Sequence, residues 1–213
     1  MLEIVHFVLG PVQTNAYLVA DSETANAAVI DPAWDGHLIL AEAQKRGWRI
    51  AHLWYTHAHF DHIGGAGAIA DQLNPLPLVA LHPNDHVLWR AEGGAPLFGY
   101  RIDPGPEPTI DLYQGQILKL GGVEIEVRFT PGHTTGHCIF YVASSGVCFC
   151  GDLIFREGVG RSDLPGGDWG TLVNSIKTQV FTLPDDTRLL SGHGPETTVG
   201  EEKKYNPFVG EST

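Results

Sequence analysis

Basic residues are scarce in this 213-residue chain: 13 Lys and Arg stand against 25 Asp and Glu, a formal charge of −12. A surface so acidic lacks the footprint that nucleic acid or an anionic membrane needs, so neither is expected as a partner. Long apolar runs are missing too, and no segment approaches the ~20 residues required to span a bilayer. The first residues are mildly apolar, but they include Glu3 and no basic stretch, which predicts a first strand rather than an export signal. Cysteine is limited to Cys138, Cys148 and Cys150. The number is odd, and Cys148 and Cys150 fall two apart on one apparent strand, a poor geometry for a disulfide. Buried reduced thiols in a cytoplasmic protein are the expectation. Gly and Pro number 26 and 14, but they are scattered and form no low-complexity tract.

What remains is an ordinary globular composition, 43% hydrophobic, long enough for one well-buried core. Short β-rich runs at Leu2–Leu9, Ala16–Ala20 and Ala27–Ile30 read as strands. Asp35 is placed to cap a helix that stops at Gly47. Ile50–Tyr55 reads as a strand, Ile63–Leu73 as a helix, Leu76–Leu81 as a strand, and Pro83 opens a helix to about Glu92. Eight of the sixteen residues from Gly93 to Pro108 are Gly or Pro, which predicts a long irregular connection. Strands resume at Gln116–Leu120 and Val123–Phe129. Ile139–Ala143 and Val147–Cys150 are expected to pair around Ser144-Ser145-Gly146. Asp168 is placed to cap a helix with Trp169, Leu172, Val173, Ile176 and Val180 on one stripe. Thr187–Leu190 reads as a final strand. Strands then helices, twice over, predict an α/β sandwich of two sheets with helices outside, in one domain spanning 1–213.

The chemistry is concentrated in Thr56-His57-Ala58-His59-Phe60-Asp61-His62, just past an apolar strand. One histidine is ordinarily a satisfied core or surface residue; three imidazoles and a carboxylate in six positions are not. His133, Asp152 and His193 stand downstream, each beside a Gly-containing turn where a strand gives out. Such positions put side chains on one rim of a sheet scaffold. His57 and His59, two apart in an extended segment, point the same way. Asp61 and His62 diverge at a helix entrance and can reach another ion or face, with Gly64 and Gly65 keeping bulk away. Asp152 has two oxygens with which to bridge. Five imidazoles and two carboxylates suffice for two first-row divalent ions with positions left for water. Zinc leads, while iron and manganese suit the same donors. Such an ion lowers the pKa of bound water from 15.7 to about 7, roughly 12 kcal/mol in favour of hydroxide.

His57-Ala58-His59-Phe60-Asp61-His62 resembles the HxHxDH signature of the metallo-β-lactamase superfamily. Val29-Ile30-Asp31-Pro32, Thr130-Pro131-Gly132-His133, Gly151-Asp152 and Gly192-His193-Gly194 resemble its other landmarks, in order and across nearly the whole chain. The resemblance implies a four-layer αβ/βα sandwich with two mixed sheets. It also implies a first metal on His57, His59 and His133, and a second on Asp61, His62 and His193, with Asp152 shared. Asp61 and Asp152 would be the carboxylates that act in catalysis. Asp31 matches a position that braces a ligand from behind, or else it caps its own turn.

Gly158–Asp168 and His193–Thr198 look like the glyoxalase II-like branch. Its hydroxyacylglutathione hydrolases cleave the thioester of S-lactoylglutathione with a metal-bridging hydroxide. The common β-lactamases place a Cys where Asp152 stands, which argues against lactams. Arg161 matches a basic residue near the substrate carboxylate, with a surface salt bridge as its other reading. The chain ends twenty residues after His193, without the helical C-terminal domain that grips glutathione, so it resembles the short, single-domain members. The resemblance leaves two alternatives, a mononuclear iron persulfide dioxygenase on His57, His133 and Asp152, and a lactonase. Phe98 and Tyr100 are candidates for a substrate lid or for packing. Oligomeric state is left open.

Overall fold

The computed structural model describes residues 1–211, and most of its strands fall into two six-stranded sheets. In the first sheet β1 (Leu2–Leu9), β2 (Thr14–Asp21) and β3 (Asn26–Ile30) run antiparallel. Helix α1 (Gly36–Arg46) then crosses to β4 (Arg49–Trp54), which lies parallel to β3. Two short helices, α2 (Phe60–Ile63) and α3 (Ala66–Ala70), lead to β5 (Leu78–Leu81), again parallel. Helix α4 (His86–Arg90) and a long connection reach the short edge strand β6 (Ile110–Asp111).

The second sheet begins as an antiparallel meander of β7 (Ile117–Leu120), β8 (Val123–Phe129), β9 (Cys138–Val142) and β10 (Val147–Gly151). A small hairpin, β11 (Ile154–Phe155) with β12 (Gly158–Val159), stands apart. Helix α5 (Trp169–Ser175), extended by a π-helical turn over Ile176–Val180, returns the chain to β13 (Arg188–Ser191), parallel to β10. The described chain finishes with β14 (Thr197–Thr198) and α6 (Val199–Tyr205).

Period-two alternation sorts these strands into layers. On β2, Tyr17 and Val19 face the second sheet while Ala16, Leu18 and Ala20 face the helices. Val123, Ile125 and Val127 of β8 meet them from the other side, with Trp54, Phe140 and Phe149 filling the slab between the sheets. Truncating an aromatic of that slab costs about 3–5 kcal/mol. α1 and α3 cover the outer face of the first sheet, and α5 covers that of the second. The result is the expected αβ/βα sandwich. All three cysteines are free and buried. Among the described residues no helix is long and apolar enough to cross a membrane.

Three local expectations need correcting. Asp35 sits at the start of α1 but makes no side-chain cap, because its left-handed backbone (φ 48°, ψ 44°) differs from the extended conformation that aims a cap at the first turn. Asp168 does have that conformation, and its Oδ1 accepts from Thr171 N at 2.7 Å. The helix expected over 63–73 is split at Gly64-Gly65. A Cβ on Gly65 would lie 2.6 Å from the Pro32 carbonyl, so the pair admits a neighbouring loop rather than clearing space at the site. The Gly/Pro-rich connection is more ordered than its composition suggests. It forms 3-10 turns over Glu92–Phe98 and is pinned at Pro104, whose carbonyl accepts from Tyr55 Oη and Trp89 Nε1.

Candidate metal centre

Strand direction brings the candidates together. β3 and β4 are parallel, so Asp31 and His57 emerge at the same end; β10 and β13, also parallel, deliver Asp152 and His193. Open α/β sheets place sites beyond such carboxyl ends. The two rims are stitched to each other, with Asn15 N donating to Gly192 O (2.7 Å) and Asn15 Nδ2 to the carbonyls of Ser191 (2.8 Å) and Gly194 (2.9 Å).

All seven predicted donors converge. His57, His59 and His133 offer ligand atoms within 4.8 Å of one another, as do Asp61, His62 and His193. Asp152 lies between the sets. Its Oδ1 is 3.2 Å from His62 Nε2, and its Oδ2 is 3.5 Å from His193 Nε2 and 3.6 Å from His133 Nε2. Donors bound to one tetrahedral ion at roughly 2.0–2.1 Å are spaced about 3.3 Å apart. The His193–Asp61 separation is 3.3 Å, and His59 Nδ1 lies 2.9 Å from His133 Nε2.

Hydrogen bonds behind the imidazoles decide which nitrogen faces inward. Asp31 accepts from Thr56 N (2.8 Å), Thr56 Oγ1 (2.6 Å) and His62 Nδ1 (2.9 Å). With its proton committed to Asp31, the Thr56 hydroxyl oxygen accepts from His57 Nδ1 (3.0 Å). His133 Nδ1 donates to the Arg161 carbonyl at 2.7 Å. Nε2 of all three rings is thus left for the pocket, the arrangement that orients metal-binding histidines. Asp31, His57 and His62 also form a tight acidic-imidazole trio. Its carboxylate already accepts from three donors, an arrangement suited to bracing the His62 ring from behind.

A divalent ion fits what these residues leave open. Nε2 of His57, Nε2 of His62 and Oδ1 of Asp152 are buried with no hydrogen-bond partner. The last two are in contact yet misaligned for each other, as groups aimed at a common third point would be. A side chain at Gly192 would intrude, its Cβ only 2.2 Å from Asp152 Oδ1 and 2.7 Å from His62 Cε1. Unpaired buried polar atoms cost about 1–3 kcal/mol each, so they persist where something offsets them.

The two sets differ electrostatically. Burial holds His57 well below the usual imidazole range, and burial plus His133 brings His59 to about 3. These two rings of the first set are therefore neutral at pH 7. In the second set burial opposes charge but loses: Asp152 and Asp61 raise His62 well above its ordinary value, and contacts with Asp152 and Asp61 lift His193 to about 9. Burial would likewise raise both carboxyls, yet His62 and His193 hold Asp61 below the carboxylate range and Asp152 well below it.

Other expectations are modified. The Arg161 guanidinium makes a bidentate pair with Asp163 (2.7 and 2.8 Å) at the pocket mouth, while its backbone carbonyl does the positioning. Phe98 and Tyr100 line the pocket and also pack on Phe60, at ring-centroid distances of 5.4 and 5.6 Å. His137 binds Thr130 Oγ1 through Nδ1 (2.9 Å) and stacks on His57. Three contributors escaped sequence reasoning. Thr14 Oγ1 donates to Asp61 (3.0 Å), Asn15 ties the rims, and Asp85 accepts from Ala58 N, Thr134 Oγ1 and Gly136 N at 3.1, 2.7 and 2.6 Å. These partners are dozens of residues away, so no local motif marks them.

The family model of the metallo-beta-lactamase superfamily matches residues 9–193. The chain belongs to that superfamily. Among the proteins it is similar to is the hydroxyacylglutathione hydrolase GloC of Haemophilus influenzae, 35% identical over 206 residues, covering 92% of this chain and 93% of that protein. A solved structure of TTHA1623 in a di-iron-bound form is 39% identical with a TM-score of 0.87, over 96% of this chain and 99% of that one. The BLEG-1 B3 metallo-beta-lactamase is 33% identical with a TM-score of 0.89, over 98% and 99%.

Proposed function

We propose that this superfamily member is a single-domain, dinuclear metal-dependent hydrolase of acyl thioesters such as S-lactoylglutathione, working in the cytoplasm on a small-molecule substrate. The observation that carries the reading is the pair of complete donor sets joined by Asp152, with buried lone pairs aimed between them. Likeness to GloC supports the thioester. His57, His59 and His133 would hold one ion, Asp61, His62 and His193 the other, and Asp152 both; zinc or iron suits these donors. When bound, two such ions supply water ionised near neutral pH and polarisation of a carbonyl.

The chain's own residues prepare that chemistry. Asp61 and Asp152 are held ionised, so at neutral pH they offer fixed negative charge and open lone pairs rather than acting as acids. Thr14 fixes Asp61, and Asp31 fixes His62 while Thr56 relays that order to His57. Phe60, Tyr100 and Leu164 wall the pocket of about 420 Å³ above the donors and give it an apolar side. A substrate carboxylate at the mouth would share Arg161 with Asp163.

Elemental analysis of the isolated protein followed by a thioester panel on glutathione and coenzyme A carriers tests the proposal. Two ions per chain and turnover of acyl-glutathione are expected. Fully loaded protein that leaves every thioester intact would sink it. Likeness to BLEG-1 favours a second reading, lactam hydrolysis, so a β-lactam belongs on the panel. One iron with oxygen uptake on glutathione persulfide would instead make the protein a dioxygenase.

A further inference from the structure

A second cavity of about 420 Å³ opens beside the metal donors. It shares three walls with the donor pocket, His59, Phe98 and Leu164, so the two lobes adjoin on either side of these side chains. Its remaining surface comes from the end of α4, the Gly/Pro-rich connection and the loop after Arg161, chiefly Leu88, Ala91, Leu97 and Pro165. Leu97 and Phe98 are 80% and 49% exposed, which is apolar area kept in water at the mouth of a site. The two charged residues on its edge are already engaged: Arg90 pairs with Glu107 at 3.1 Å, and Glu92 pairs with Arg101. No free charge is left there to greet a zwitterionic carrier.

We propose that this lobe receives the hydrocarbon arm of longer acyl groups, so that the chain turns over thioesters with medium-length, unbranched apolar acyl chains faster than compact ones, with S-lactoylglutathione among its slower substrates. The inference rests on the thioesterase reading and assigns the two halves of the substrate to two lobes. The polar carrier lies on the open side, where Arg161 and His193 stand, and the acyl arm passes His59 into the apolar lobe. Each methylene that leaves water there contributes to binding only if the lobe stays open and apolar, which makes the lining testable.

The decisive experiment follows kcat/KM of the metal-loaded enzyme along acetyl, butyryl, hexanoyl and octanoyl thioesters of one carrier. In parallel it measures calorimetric Kd for the matching S-alkyl thioethers, which cannot be cleaved. Both should improve by about fourfold per methylene until the lobe is full. Ala91→Trp, which fills the lobe, and Leu97→Asp, which charges its mouth, should each collapse the octanoyl-to-acetyl ratio toward one. Ala91 and Leu97 are exposed, so neither change burdens the core. A flat series in both assays, or a rise retained in both variants, overturns the assignment. If no thioester is cleaved but the thioether affinities still climb with length and collapse in the variants, the lobe stands and the thioesterase reading falls.

Discussion

Replacing Asp85 with Ala deletes a buried carboxylate that belongs to neither donor set but holds both segments carrying the first. Its oxygens accept from Ala58 N (3.1 Å), between His57 and His59, and from Thr134 Oγ1 (2.7 Å) and Gly136 N (2.6 Å), just past His133. Hydrogen bonds to a charged group contribute about 1.5–3 kcal/mol each, and the donors left behind would be buried without partners. Burial raises the Asp85 carboxyl above its ordinary value, so part of that gain is already offset by the cost of the charge. A net loss of about 3–4 kcal/mol follows, or a fall in Tm of roughly 10 °C for a chain of this size. Metal affinity of the His57, His59 and His133 set should fall with it, while Asp61, His62 and His193 keep theirs. Urea titration of metal-free protein and chelator competition at both sites measure the two effects. A stability change within about 0.5 kcal/mol, as for an ordinary surface substitution, would refute this account of how the loops are held.

Asp31→Ala frees the back of the His62 ring and should weaken metal binding about 10–100-fold; unchanged affinity by chelator competition would show that Asp31 serves only its own turn. Asp152→Ala should halve the metal content and abolish turnover while leaving circular dichroism near wild type, and two ions per chain in the variant would contradict bridging. For metal-free protein, the His193 value of about 9 exceeds the unfolded value near 6.5. Its stabilising contribution is therefore complete below about pH 6.5 and lost as pH climbs through 9. The same proton competes with metal, so affinity at the second set should rise with pH toward 9, with proton release visible as a buffer-dependent calorimetric heat. Affinity independent of pH between 6 and 9 would rule out that protonation.

The sheets were legible because alternation is local: Val123, Ile125 and Val127 face inward as their spacing requires. The convergence of the candidate donors was legible because most sit in one run and the rest lie beside Gly turns. Asp35 misled because Asp at a helix start signals a cap only when the backbone is extended there. The hairpin β11–β12 and strand β14 went unseen, since two-residue strands carry no period. Thr14, Asn15 and Asp85 act through contacts across 27 to 179 positions of chain, a distance at which composition says nothing.

The donors are divided between the two stitched rims. His57, His59, Asp61 and His62 come from the first sheet's side, and His133, Asp152 and His193 from the second's. Each ion would thus draw on both sides, acting as a clasp as well as a reagent. Loading would tighten the very seam along which the halves could part. An injury to either half then removes the reaction outright instead of dimming it, because neither retains a full set of hands for even one ion.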